Sequence, residues 1–156
     1  MPSAVSRGPI STRIYTELLT EGFPVGDNGS PSEPYGWSGE ANSQDAEFTP
    51  WMTFAALTGR PQRPGGSFDD TQLDWVLPYT VYYAGVSRRQ CEALADRMRA
   101  SLVNIAREDV TGENGTWRIQ QITCTTIGGS TKIGSAYPDY YTQSDTFDVW
   151  VTKRRG

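Results

Sequence analysis

The chain has 156 residues, 37% apolar and 21% charged, with a net charge of −4; a chain of this size supports one domain that hides roughly 70% of its unfolded surface. The acidic balance, with a pI of ≈ 4.8, argues against binding driven by neutralisation of nucleic-acid phosphates, which takes a basic face. The sequence contains no histidine, which excludes Ser-His-Asp and Cys-His catalysis in their usual forms and any histidine-containing metal site.

Sixteen glycines and ten prolines mark a loop-rich chain. No run reaches the roughly 18 apolar residues of a membrane span, and the opening MPSAVSRGPISTR lacks the apolar centre of a secretory signal, so the expected site of synthesis and residence is a cytoplasm. Residues 1–8 read as a flexible start. Cys91 and Cys124 each lie in an apolar pattern and are expected to be reduced core thiols. Without a secretory route, NGS at Asn28 and NGT at Asn114 mean Asn-Gly turns.

In chain order, Ile10, Ile14 and Leu18 stand four apart and predict a helix from Pro9 to Thr20, with Ser11 or Thr12 to cap it and Gly22 and Pro24 to stop it. Residues 25–48 follow as a long loop rich in Gly, Ser, Pro and Asn. It carries Asp27, Glu33, Glu40, Asp45 and Glu47 and no basic residue. A loop of this length is functional or disordered, because it cannot bury enough apolar surface to offset its ordering entropy. Tyr35 and Trp37 within it predict docking, either on the loop's own domain or on a neighbouring chain.

Pro50–Gly59 predicts a strand, and Asp74–Gly85 a longer one in which Pro78 lacks a donor and is expected at a sheet edge or bulge. Ser87 and Gln90 have capping-box spacing. They open the clearest helix of the chain, with Cys91, Leu94, Ala95, Met98, Leu102 and Ile105 on one stripe. Turn residues at 113–115 lead into a strand over 116–128 with mixed alternation and a bulge expected near Gln120 and Gln121. GGSTKIG allows a hairpin turn into a short strand, and DTFDVWVTK alternates as the closing strand. The whole predicts an α+β domain. Its mixed, mostly antiparallel sheet has the N-terminal helix and the long central helix packed on one face, with the long acidic loop in addition.

Cys91 and Arg97 stand in the C-x5-R spacing of thiol-based phosphatases, with Arg88 and Arg89 nearby. A phosphatase needs a tight loop between them whose amides converge on phosphate. Here EALAD is a strong helix former that brings Glu92 and Asp96 toward the same place, so Cys91 reads as a core thiol. Arg88 and Arg89 read as helix-surface partners of Glu92, or as interface residues. Asp69, Asp70 and Asp74, and Asp139, Asp145 and Asp148, lack the fixed spacing of a calcium loop, and no glycine-rich nucleotide motif is present. No catalytic residue, cofactor or metal is therefore predicted.

Five tryptophans and eight tyrosines are many for so lean a core. Tyr79, Tyr82, Tyr83, Tyr137, Tyr140 and Tyr141 fall in stretches read as edge or loop, and such side chains are enriched in protein interfaces. Tyr35, Trp37, Tyr79, Tyr82, Arg88, Arg89, Tyr140 and Tyr141 are the candidate interface residues. Lys153, Arg154 and Arg155 join them, as a tail that is either solvated or in contact with an acidic partner.

The order of these segments (ISTRIYTELLT, a long variable loop, strands leading into SRRQCEALADRMRASLVN, and an antiparallel pair ending in FDVWVTK) resembles the tail terminator proteins of long-tailed phages, especially those of actinobacteria, over residues 9–154. The resemblance rests on order, length and character and carries no motif residue. It implies a structural virion protein without catalysis. Such a protein forms a hexameric ring that caps the tail tube, meets the head connector, and lets DNA pass through the lumen without sequence-specific contact or membrane involvement. In that setting the acidic loop faces the lumen or the tube. Other neck and minor tail proteins share similar small α+β domains.

Overall fold

The computed structural model describes residues 7–38, 46–61, 74–129, 131–133 and 139–154. Helix α1 spans Arg7–Leu19 and α2 spans Arg88–Val103. The strands are β1 Val25–Asp27, β2 Gly36–Ser38, β3 Glu47–Thr49, β4 Trp51–Ala56, β5 Arg60–Pro61, β6 Asp74–Gly85, β7 Asp109–Gly112, β8 Gly115–Ile127, β9 Thr131–Ile133 and β10 Tyr140–Lys153. The main sheet runs β1-β4-β6-β10-β8-β7, with β5 added beside β6 and β9 beside β10. Among the described residues only the β1–β4 pair is parallel, so the fold is α+β with a mixed, mostly antiparallel sheet.

Alternation builds the core. Leu77, Tyr79, Val81 and Tyr83 on β6 stand beside Val149, Phe147, Asp145 and Gln143 on β10 in register, and these apolar side chains point toward the helices and are buried. Ile10, Ile14 and Leu18 of α1 and Leu94, Ala95, Met98 and Leu102 of α2 close over them. Each large side chain so buried contributes about 1.5–3 kcal/mol. The rings of Phe54, Tyr79 and Phe147 stack across β4, β6 and β10 with centroids 5.1 and 5.6 Å apart, beyond what area alone provides.

The Ser87 half of the α2 cap forms as the spacing predicts, with its side chain accepting from the Gln90 N–H at 3.2 Å, but the Gln90 side chain reaches one residue past the N-cap and accepts from the Val86 N–H at 2.7 Å. The predicted bulge falls at Gln120, which is skipped between the pairs Gln121↔Trp150 and Ile119↔Val151, and a second irregularity follows at Thr125.

Several expectations are corrected. Arg7 and Gly8 already belong to α1 rather than to a flexible start. Tyr79 and Tyr83 lie on an interior strand, not an edge, because β6 is flanked by β4 and β10. Pro78 is likewise interior, and its position has a local reason. Its carbonyl accepts from the Leu57 N–H at 2.9 Å, and the N and C=O of one residue in an antiparallel strand point to the same side. The missing donor therefore faces the interruption between β4, which ends opposite Tyr79, and β5, which begins opposite Val76. Within the predicted 25–48 loop lie β1, β2 and the start of β3, and the hairpin of β2 and β3 forms a small second sheet.

Candidate assembly surfaces

The C-x5-R pair is resolved by what each residue touches. Cys91 is buried on the α2 stripe, and its thiol donates to the Tyr141 carbonyl at 3.2 Å; burial above all pushes its pKa up, away from a reactive thiolate. Arg97 is directed instead at the end of α1, with Nε 3.1 Å from Glu21 and its guanidinium 4.6 Å over the Phe23 ring. Glu21 also accepts from the Ser101 hydroxyl, so one carboxylate ties the two helices together. Midway along α1, Arg13 clasps Glu108 through Nε at 2.8 Å and Nη2 at 3.1 Å.

The C-terminal aspartates are dispersed by the strand period. Asp145 points to the helices and Asp148 to the opposite face. Asp145 is paired with Arg99 at 2.7 Å, Asp148 with Arg60 at 3.2 Å, and Asp139 with Lys132 at 2.8 Å. Asp69 and Asp70 lie outside the described residues. Around Asp145 a closed polar cluster forms: the Tyr83 hydroxyl donates at 3.0 Å and the Gly128 N–H at 3.3 Å. Burial first, and the Asp145 charge second, raise the Tyr83 pKa well above the ordinary phenol range. For Arg99, burial is the largest single influence and lowers the pKa, but the charge and hydrogen bond of Asp145, with smaller contributions from Tyr83 and Cys124, together outweigh it and the net shift is upward.

The candidate interface residues divide into three groups. Tyr79 is withdrawn from the surface, since it has 0% exposure, donates to or accepts from Ser11 Oγ at 2.8 Å, and lies under the Arg7 guanidinium at 4.7 Å. Trp37 and Tyr35 dock on their own chain. The Trp37 indole N–H donates to the Asp139 carbonyl at 2.9 Å, Trp37 packs edge-on to Phe48, Phe48 stacks on Tyr140, and Tyr35 meets Trp51 edge-on at 4.9 Å. Tyr140 is thereby half-buried beneath the hairpin, and Tyr141, the next residue of β10, is half-buried as well.

Tyr82 stays open to solvent at 49% exposure, on the sheet face away from the helices. Arg88 is exposed and pairs with Glu92 at 2.8 Å, while Arg89 is simply exposed. Lys153 is half-buried against the turn at Gly115, and Arg154 approaches Asp109 at 3.8 Å. Asp27, Glu33 and Glu47 are exposed. Tyr137, Arg155, Glu40 and Asp45 lie outside the described residues.

Cys124 is exposed, against the expectation of a core thiol. Past the Gln120 bulge β8 runs beyond the cover of α2, and most of its side chains from 120 to 127 are open to solvent. There a cleft of ≈ 450 Å³ opens between the last turns of α2 and β8, floored by Leu102, Ile122 and Phe147 and rimmed by Arg99, Arg107 and Cys124. Val103 at 71% and Ile127 at 64% exposure flank this side of the molecule. Periodicity could not reveal it, because exposure here follows from where the neighbouring elements stop.

No family model and no curated protein matches the chain. A solved structure whose name records no function aligns with 92% of this chain and 92% of its own, at a TM-score of 0.45 and 14% identity.

Proposed function

We propose that this protein is a structural subunit of a long-tailed phage, one that assembles into a ring closing the head-proximal end of the tail tube. The ring, hexameric by the resemblance, ends tube growth, meets the neck or connector proteins, and lets DNA pass through its lumen; another ring position in the neck fits the same observations. The reading rests on the segment order shared with tail terminators. The observation in the fold that best supports it is the outer side of β8, where Val103, Cys124 and Ile127 are left open beside an apolar cleft, as a subunit that buries this side against a neighbour requires. The carboxylates of the 25–48 stretch that lie beyond Glu33 suit a surface that DNA must slide past, because like charge keeps the duplex from adhering.

Light scattering coupled to chromatography, with negative-stain microscopy of the protein alone and with purified tail tubes, tests the proposal. Rings on the tube ends, and tubes that stop growing when the protein is added, are expected. A protein that stays monomeric in solution and leaves tube ends bare and growing overturns it.

A further inference from the structure

The two flanks of the main sheet carry opposite charge. On the β1 flank Asp27 and Glu33 are exposed, make no ion pair among the described residues, and belong to a stretch, 25–48, without a single lysine or arginine. On the opposite flank Arg107, Arg118 and Arg154 converge with Gln120 on a polar cleft of ≈ 300 Å³. Arg107 and Arg118 have no carboxylate partner among the described residues, and Arg154 has only Asp109 at 3.8 Å. Arg107 is held in place by its backbone, at φ 74 with its N–H donating to the Ile119 carbonyl.

Directly beyond this cleft the sheet has an open edge. β7 pairs with β8 only from Gly115 to Arg118, and the backbone of Arg107 and Glu108 covers Ile119. From Gln120 to Ile127 the outer edge of β8 has no strand partner among the described residues. The sequence there, QQITCTTI, contains no charge and no proline. Edge strands that must stay unpaired are normally blunted by lysine, proline or short length, and β8 has none of these over this stretch. The opposite edge is shielded: β1 is three residues long, the Tyr15 hydroxyl donates to its Val25 carbonyl at 3.0 Å, and the turn at Gly29 lies so close over Gly26 that a side chain there would clash.

We infer that the arginine cleft and the open β8 edge of one copy receive the acidic β1 flank, Asp27 to Glu33, of a second copy. The two patches are different surfaces of the same chain, so the contact is head-to-tail and repeats from copy to copy until the rotation closes a ring. Closure, as opposed to pairing, rests on the ring reading above. Unprotected edge and complementary charge act together here: the edge supplies backbone donors and acceptors, and the charges fix which segment meets it and steer the approach.

The test uses the full chain as wild type, R107E/R118E, D27K/E33K, the four-fold variant combining them, and a 1:1 mixture of the two double variants. Association is read by analytical ultracentrifugation in solution and by ring counts on purified tail tubes, with far-UV circular dichroism confirming the fold of each. Wild type should associate, each double variant should weaken association at least tenfold, and both the mixture and the four-fold variant should restore it. Double variants that assemble as wild type does overturn the pairing while leaving a ring intact, as does a mixture that fails to recover. A wild type that is monomeric in solution and absent from tube ends overturns both the pairing and the ring.

Discussion

Arg99 reaches from α2 to place Nη2 2.7 Å from Oδ2 of Asp145, a carboxylate with no exposed surface. The two ends of this pair are not equivalent. Arg99 keeps part of its side chain in water and also contacts Asp96 at 2.9 Å, whereas Asp145 is enclosed by Arg99, Tyr83 and Gly128. Replacing Arg99 by alanine strands a buried charge and should destabilise the protein by about 3–5 kcal/mol. Asp145→Asn keeps acceptors for Tyr83 and Gly128 and frees an arginine that can turn to solvent, so its cost should be smaller, about 2–3 kcal/mol. Urea denaturation of both variants checks the order; equal losses would show that Asp145 is reached by water.

Tyr83 gives this cluster an alkaline limit. Its pKa is raised in the folded state, so above the ordinary phenol value of about 10 the folded protein holds a proton that the unfolded chain releases. Stability from this group is complete below that pH and is lost as pH rises beyond it. Denaturation midpoints measured from about pH 9 to 11.5 should fall for wild type and fall less steeply for Tyr83→Phe. Tyr83→Phe should itself cost about 1–2 kcal/mol near neutrality through the lost hydrogen bond.

The two thiols should differ sharply in reactivity. Cys124 is exposed, and Cys91 is buried with a pKa raised mainly by desolvation. A chromogenic disulfide reagent at about pH 8 should therefore titrate one thiol at once and the second only on unfolding. Cys124→Ser should abolish the fast phase and leave the slow one unchanged. Where copies associate through β8, the fast phase should also slow with protein concentration.

Gly128 allows close passage of two chains. A Cβ at this position would lie 2.2 Å from the Ser144 carbonyl oxygen, a backbone atom that cannot turn aside. Gly128→Ala should cost about 1–3 kcal/mol. The loss should be accompanied by weaker amide protection at Gly128 and at its partners in β10, measured by hydrogen exchange.

Both helices, their buried stripes, the Ser87 cap and the Gln120 bulge were legible in the sequence, because each is decided within a few residues by spacing or by a side chain reaching its own backbone. Tyr79 and Tyr83 were misplaced for the opposite reason. Alternation shows that they share a face but not whether a strand is interior, and that depends on β10, some sixty residues away. β7 escaped notice because DVTG is too short to show a period, and it exists only by pairing with β8 across the turn at 113–114. For Trp37 the sequence left two partners open, and the Asp139 carbonyl decides for its own chain. The arginine cleft was invisible since Arg107, Arg118 and Arg154 are scattered in sequence and meet only through strand register.

The position of β10 bears on how the chain reaches its fold. It is the last strand in chain order and the one that joins β6 to β8 and β9, through pairings 56 to 78 residues apart on the β6 side. Until it is in place, β1, β4 and β6 form one incomplete half and β7 and β8 another, with α2 lying over an apolar surface that lacks Phe147, Val149 and Val151. Folding therefore waits on a late, long-range event and should be slow for a chain of this length. During that wait the uncharged β8 segment is open on both sides, so synthesis rate and chaperone supply should govern soluble yield more than the stability of the finished protein does.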